Sequence, residues 1–505
     1  MSSNVHTTLE QFLGITRKIK RYNEALGVMY WDLRTGAPRK GAETRSEVIG
    51  ELSSDMFKLQ TSEELGKLID ALSEPGAYEQ LKELDRKILA ETKKEYDRSK
   101  KIPAELYQEY VVLTTHAETL WEDAKHNSDY AMFQPYLEKI IDFNKQFIQL
   151  WGQKETPYDT LLDIYEPGMT VAKLDQVFGE LRSSIVPLAA AVKNSDHQPD
   201  TSMLKHSFEK DRQKEFSHYI LGQLGYDFEA GRLDESVHPF ATGLNPGDVR
   251  ITTHYYENDP TIALFGTIHE CGHALYEQNI SKDLIGTPLS EGTSMGIHES
   301  QSRFWENMVG RSKPFWQRYF GELKRLYPEQ FHGVEAEDFY RAINVSEPTL
   351  IRIFADELTY NLHIMIRYEM EKAIFNEGVA VSDLPALWNA KYREYLGIEP
   401  STDAEGVLQD VHWAGGAFGY FPSYALGNMY AAQMMNTLKK EKPDFDELVR
   451  EGNLLPVKEW FTERVYQYGK SKTPSEIIRD VTGEELNPSY LVEYLTAKYA
   501  DIYKL

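Results

Sequence analysis

Two histidines stand four positions apart in His269-Glu270-Cys271-Gly272-His273, and on an α-helix that spacing points both imidazoles from one face, about one turn apart. The pattern asks for a helix whose back is buried and whose polar face stays open to a cation. The surrounding run agrees. Between Thr261 and Gln278, Ile262, Phe265, Ile268, Leu275 and Tyr276 recur at spacings that pack such a helix into a core. Glu270 directly follows the first histidine, so it lies beside the metal without occupying it, within reach of a proton on an attacking water.

A chain with 14 histidines can produce H-E-x-x-H by chance, so the third ligand decides the reading. Catalytic zinc keeps three protein ligands and one open position, and a His₂Glu set takes its carboxylate from elsewhere in the fold. Glu299 follows His273 by 26 positions (299 − 273), within His298-Glu299-Ser300-Gln301. Its segment also reads as a helix, with Ile297, Gln301, Phe304 and Met308 on one stripe and Glu299, Arg303 and Glu306 off it. We therefore expect His269, His273 and Glu299 to hold one zinc ion per chain, with cobalt as an alternative, and Glu270 to act as general base. Cys271 falls at i+2 from His269, which turns its thiol off the ligand face, and it is expected to be a small buried residue.

The rest of the chain is patterned for helices, as in Leu9, Phe12, Leu13 and Ile19, and again in Leu137, Ile140, Ile141, Phe147, Ile148 and Trp151. Pro and Gly interrupt these runs at Ile102-Pro103, Glu166-Pro167-Gly168, Asn245-Pro246-Gly247 and Glu399-Pro400, but none is long enough for an interdomain linker. With 505 residues of which 41% are hydrophobic, one large core can form. The expected fold is mainly α, a single domain over residues 1–505, and the lack of a fixed-period repeat argues against a solenoid. One stretch differs. Across residues 248–256, Val249, Ile251, Thr253 and Tyr255 alternate with Arg250, Thr252, His254 and Tyr256, which predicts a strand. Its place shortly before the metal helix makes it a candidate substrate-facing edge.

A formal charge of −24 leaves no concentrated basic surface to displace counterions from nucleic acid. No window reaches 18 uninterrupted apolar residues, and residues 1–20 lack a basic segment followed by an apolar one, so neither a membrane span nor a secretory leader is expected. The lone cysteine cannot form an internal disulfide, which suits a reducing compartment. We expect a cytoplasmic protein.

Several further motifs occur in order: Tyr30-Trp31-Asp32 with Pro38 and Gly41; Tyr158-Asp159-Thr160-Leu161-Leu162 leading to Tyr165-Glu166-Pro167-Gly168-Met169-Thr170; His238-Pro239-Phe240; and Asp248-Val249-Arg250-Ile251-Thr252. After the metal helix and His298-Glu299-Ser300-Gln301 come Ile351-Arg352-Ile353-Phe354-Ala355-Asp356 and Gly406-Val407-Leu408-Gln409-Asp410-Val411-His412-Trp413. In this order, over nearly the whole chain, they resemble the thermostable carboxypeptidase (carboxypeptidase Taq) family of zinc metallocarboxypeptidases, in its Bacillus-type form. The resemblance implies a helical body whose two lobes flank a substrate groove, a zincin-type active-site helix and a small β-sheet next to the zinc. It also implies a homodimer that releases single residues from free peptide C-termini with broad specificity. The Arg352 and Asp410/His412 segments would help bind substrate.

A carboxypeptidase must hold a free carboxylate, which a guanidinium fork suits better than a point charge. Arg352 and Arg250 are the candidates, against structural ion pairs to Asp356 and Asp248. Asp356 would alternatively orient a zinc histidine. His412 and Tyr420 flank a glycine-rich stretch, Gly415, Gly416 and Gly419, that permits close backbone approach, and they are candidate donors to an oxyanion, against a simple packing role. His238 precedes a proline, favouring an extended backbone that can touch substrate. Two rivals stand beside this reading. One is a zinc endo-oligopeptidase or dipeptidyl carboxypeptidase. The other is a non-catalytic helical scaffold, disfavoured because structural zinc sites close all four positions with Cys or His.

Overall fold

Capping chemistry sets where many helices begin. Ser2, Ser62, Thr170, Ser312 and Thr473 each turn a side-chain oxygen onto a backbone N–H of the first turn that follows, satisfying donors that the helix cannot. The computed structural model describes residues 1–505, and helices follow one another from Ser3–Thr35 to Ser489–Tyr503 with a single small sheet between them. The fold is mainly α, as the periodicity predicts. Buried apolar side chains from Leu9 in the first helix to Tyr503 in the last form one continuous core, and no helix is long and apolar enough to cross a membrane.

The sheet has three strands, β1 (Leu233–Glu235), β2 (Ala241–Asn245) and β3 (Asp248–Thr253), in the order β1-β3-β2. β1 runs parallel to β3, with Leu233 opposite Ile251, and β2 runs antiparallel to it, with Ala241 opposite the same residue. Two expectations are corrected here. The strand stops at Thr253 rather than Tyr256, and β3 is the central strand, so it is not an edge. Alternation reports which way side chains point, not how many neighbours pair with the strand, and its threonines are buried because their hydroxyls are bonded. Thr252 Oγ1 accepts from Ser236 Oγ at 2.7 Å and from Phe240 N–H at 2.9 Å, while Thr253 Oγ1 accepts from Thr267 Oγ1 at 3.0 Å.

The helix Pro260–Gln278 starts with Asp259 capping the Thr261 N–H and Pro260 at its first position. One side lies on β3 through the Thr253–Thr267 contact. On another side the helix Met295–Arg303, capped by Ser294 on the Ile297 N–H, crosses so closely that a Cβ at Gly272 would stand 2.5 Å from the Gln301 carbonyl oxygen. The long helix Pro422–Glu441 backs it from behind, and a Cβ at Gly427 would stand 2.6 Å from Glu299 Cγ and 3.1 Å from its carbonyl carbon. Met295–Arg303 is thus wedged between two glycines, one on each neighbour.

This geometry opposes two effects at Gly427. Alanine inside a helix gains about 1 kcal/mol over glycine, but overpacking a tight contact costs about 1–3 kcal/mol. The closest contacts are with Glu299 Cγ and Cβ, at 2.6 and 2.8 Å, and Arg303 and Ser302 pin that side chain so that it cannot swing freely. Gly427→Ala should therefore lower stability by up to about 2 kcal/mol in urea denaturation despite the better helix former, and should displace Glu299 enough to lower metal content by elemental analysis.

Candidate metal centre

The HEXXH helix and the wedged helix bring three donor atoms together. Glu299 Oε2 lies 3.6 Å from His269 Nε2 and 3.5 Å from His273 Nε2, and all three lie within 4.8 Å of one another. Each histidine is engaged at its other nitrogen. His269 Nδ1 meets Glu306 Oε2 at 2.9 Å, and His273 Nδ1 meets His298 Nδ1 at 2.6 Å. Both Nε2 atoms are thereby left facing the Glu299 carboxylate, which is itself held by Arg303 Nε on Oε1 at 2.7 Å and by Ser302 Oγ on Oε2 at 3.0 Å. Two imidazole nitrogens and one carboxylate oxygen, oriented from behind, fit the donor set of a divalent cation such as zinc. Cys271 is fully buried on the other side of the helix.

Charge at the centre is balanced by arginine. Burial alone would raise the Glu299 carboxyl, but Arg303 and the two histidines outweigh it and hold it well below the usual carboxylate range. Burial likewise opposes ionisation of Glu306, yet Arg303, His269 and Arg311 bring it down to about 2. His273 is pushed down to about 3, chiefly by burial and further by His298 and His269. It is the neutral imidazole that a metal requires. Without a cation, burial pushes Glu270 up to about 7, with His269 working against the rise and Glu299 and Glu306 adding to it.

Asp356 does not orient a zinc histidine. Its oxygens accept from the backbone N–H groups of Leu358, Thr359 and Glu347 and from the Thr359 hydroxyl. That position behind His269 belongs to Glu306, which lies in a π-helical segment, Phe304–Gly310, continuing the Glu299 helix. The sequence carried a signal for it. Glu299, Arg303 and Glu306 follow at intervals of four and three, so they share a helical face. His298 and Glu277 had no such signal, since their pairing depends on how the two helices cross.

A second cluster is built around Arg352. This buried guanidinium donates from Nε and Nη2 to Asp410 Oδ1 at 2.9 and 2.8 Å and from Nη1 to Tyr360 Oη at 3.1 Å. Its acid partner is therefore Asp410, not Asp356. Asp410 also accepts from Arg367 Nε at 2.7 Å, so its carboxylate is committed to two arginines and holds Arg352 in place rather than reaching for a substrate. Tyr360 joins the two clusters, because Arg303 also lies over its ring at 4.5 Å. His412 Nε2 meets Tyr424 Oη at 3.2 Å and its Nδ1 is buried without a partner. Burial, aided by the two arginines and opposed by Asp410, moves this imidazole down to about 4. Tyr420 packs its ring 5.1 Å from Tyr165 and 5.2 Å from Tyr424, and burial, with the nearby Glu299 charge, pushes its phenol up to about 12.

The glycines of this stretch serve the chain itself. Gly416 has φ +72° and Gly419 φ +90°, and a Cβ would stand 1.8 Å from Tyr110 Oη and 2.7 Å from the Leu161 carbonyl carbon respectively. Arg250 and His238 make no hydrogen bond or ion pair with a residue of either cluster. Arg250 forms a fork with Asp248, both contacts at 2.7 Å, and faces the Trp31 ring in a cleft also lined by Asp32, Arg45 and Arg232. His238 is exposed in the loop between β1 and β2, where its carbonyl accepts from Ser236 Oγ at 2.7 Å.

Comparison with known proteins bears on this geometry. Residues 11–499 match the model of the carboxypeptidase Taq (M32) metallopeptidase family. The chain is 56% identical to carboxypeptidase 1 of Bacillus subtilis over 99% of its own length and 100% of that protein's. It is 39% identical to thermostable carboxypeptidase 1 of Thermus thermophilus, covering 95% and 96% of the two chains. Among solved structures, the M32 carboxypeptidase from Deinococcus radiodurans R1 superposes with a TM-score of 0.96 at 37% identity, covering 99% and 100% of the two chains.

The Asp410 cluster makes a stability prediction. Burial opposes ionisation of Asp410, but Arg352 and Arg367 hold its carboxyl far below the ordinary range. A carboxyl depressed on folding stabilises fully above its unfolded value, near ~3.9, and loses that contribution as pH falls below it. Asp410→Asn leaves two guanidiniums buried against a neutral amide and should cost about 3–5 kcal/mol in urea denaturation at neutral pH. The deficit relative to the unmodified protein should shrink only below about pH 4.

Proposed function

The chain belongs to the carboxypeptidase Taq (M32) family and is a metallocarboxypeptidase, and from that premise we propose that it is a zinc enzyme releasing single C-terminal amino acids from peptides with broad specificity. The observation that supports this most directly is the joining, through Tyr360, of a three-donor metal centre to a buried guanidinium with unused N–H groups.

His269, His273 and Glu299 would hold the ion. When bound, zinc supplies a Lewis acid that polarises a scissile carbonyl and acidifies a water. Glu270, adjacent to His269, takes the proton of the attacking water and returns it to the departing amine. His412 and Tyr420 donate hydrogen bonds to the oxyanion that develops, with Tyr424 orienting the imidazole. Arg352 has three of its five donors committed to Asp410 and Tyr360, and the remainder bind the carboxylate of the peptide end as a fixed fork. Asp410 keeps that fork in place. The family resemblance also supports one zinc ion per chain, a homodimer, and one catalytic domain with lobes on either side of a groove. The lone cysteine supports a cytoplasmic location.

The test is mass spectrometry of a synthetic peptide incubated with the protein. A ladder of products each one residue shorter, abolished by chelator and restored by zinc, is the expected result. Internal cleavage or loss of two residues at a time would favour the endo-oligopeptidase or dipeptidyl carboxypeptidase reading.

Two substitutions test the assigned roles. Glu270→Gln should retain metal yet lose at least about a hundredfold in turnover, because an amide cannot accept the proton, and near-normal turnover would remove Glu270 as base. Arg352→Ala should depress cleavage of free-acid peptides by about 2–5 kcal/mol in kcat/KM while leaving the slow cleavage of amidated peptides little changed. Lysine should rescue only partly, having charge without bidentate geometry. An equal loss on both substrates would make Arg352 structural.

A further inference from the structure

His269 is backed directly by a carboxylate, but His273 is backed by another imidazole. His298 Nδ1 lies 2.6 Å from His273 Nδ1, and His298 Nε2 lies 2.8 Å from Glu277 Oε1. Glu277 Oε1 also accepts the Gly292 N–H at 3.0 Å. The space around this chain of contacts is cleared by two glycines. A Cβ at Gly243 on β2 would stand 2.7 Å from Glu277 Oε2, and one at Gly292 would stand 2.5 Å from His298 Cδ2. The His298 ring is further held between His273 and Tyr276, at centroid distances of 4.7 and 5.1 Å.

Hydrogen-bond polarity allows one arrangement that leaves a lone pair for a cation. Two ring nitrogens in hydrogen-bond contact share one proton between them, because two N–H groups repel and two lone pairs repel. An ionised carboxylate only accepts, so His298 Nε2 carries a proton and donates it to Glu277. Neutral His298 then presents a bare Nδ1, which accepts from His273 Nδ1–H and leaves His273 Nε2 unprotonated toward Glu299. If His298 were protonated on both nitrogens, His273 would have to accept at Nδ1. Its own proton would then lie on Nε2, blocking the site.

We propose that Glu277 and His298 are positioning residues that act in series to lock His273 in the tautomer able to bind metal. The pair does through two links what Glu306 does for His269 in one. This inference rests on the metal reading above.

Neutron diffraction of deuterium-exchanged crystals of the zinc-loaded full chain reads the claim directly. Deuterons on His273 Nδ1 and His298 Nε2 are expected, and a deuteron on His298 Nδ1 would overturn it. Zinc affinity by chelator competition supplies a second readout. His298→Phe keeps a ring but no acceptor and should weaken zinc about 10–100-fold. Glu277→Leu should fall with it, whereas Glu277→Gln keeps an acceptor oxygen and should stay much closer to the unmodified protein. Zinc binding unchanged in His298→Phe, or equal losses in Glu277→Leu and Glu277→Gln, would overturn the relay. Failure of the unmodified protein to bind zinc at all would instead remove the metal reading on which the relay rests. If a variant does not fold, the neutron measurement still decides.

Discussion

Gly272 has no Cβ because the backbone of Gln301 lies where one would go. That approach brings the carboxylate of Glu299 between two histidines on a different helix, and Gly427 makes it possible from the other side by letting Pro422–Glu441 press against Glu299 itself. Interiors are packed near crystal density, so a helix seated this closely on both faces has little freedom to shift. The third residue between the histidines of the motif, Gly272, is therefore constrained by packing as strictly as the histidines are by chemistry.

Once the three donors converge, their charges must be accommodated. Glu299, Glu306 and Glu270 are all buried within the same region, and carboxylates so placed would take up protons unless cations answered them. Arg303 lies between Glu299 and Glu306, and Arg311 touches the far oxygen of Glu306 at 3.4 Å. The Arg352 cluster repeats the arrangement with opposite sign, one aspartate between two guanidiniums. Buried ion networks are weak contributors to net stability but strongly penalise the loss of any one member. They hold side-chain geometry, which a catalytic centre needs more than it needs additional stability. Tyr360, touched by Arg303 on its ring and by Arg352 on its hydroxyl, is the contact through which the two networks share one geometry.

Buried carboxylates also fix the segments that carry the remaining candidate site residues. Glu371 accepts from Tyr158 Oη, from Trp413 Nε1 beside His412 and from the Gly419 N–H beside Tyr420. Glu166 accepts from Tyr430 Oη and from the Gly296 N–H in the first turn of the Glu299 helix. In each case one acidic side chain ties an irregular segment to a distant helix, satisfying backbone donors that would otherwise be buried without partners.

Periodicity in the chain was enough to establish a helical fold, and the four-residue spacing of His269 and His273 was enough to establish a metal-competent helix face, because both depend only on local geometry that every α-helix shares. Glu299 could be named as a candidate third donor because a ligand set has a required chemistry and its segment places carboxylates, Glu299 and Glu306, on the polar side of a helical pattern. The strand near Val249 was legible for the same local reason, but not its central place in the sheet. That depended on β1 and β2, whose short sequences carry little signal of their own. Only the tertiary structure decided that Asp410 rather than Asp356 meets Arg352, that His269 is the residue Glu306 backs, and that His298 and Glu277 stand behind His273. Those pairings join residues far apart in the chain or on crossing helices. No spacing rule reaches across such a crossing, because which side chains meet there is set by how closely two backbones approach, and here by the glycines that permit it.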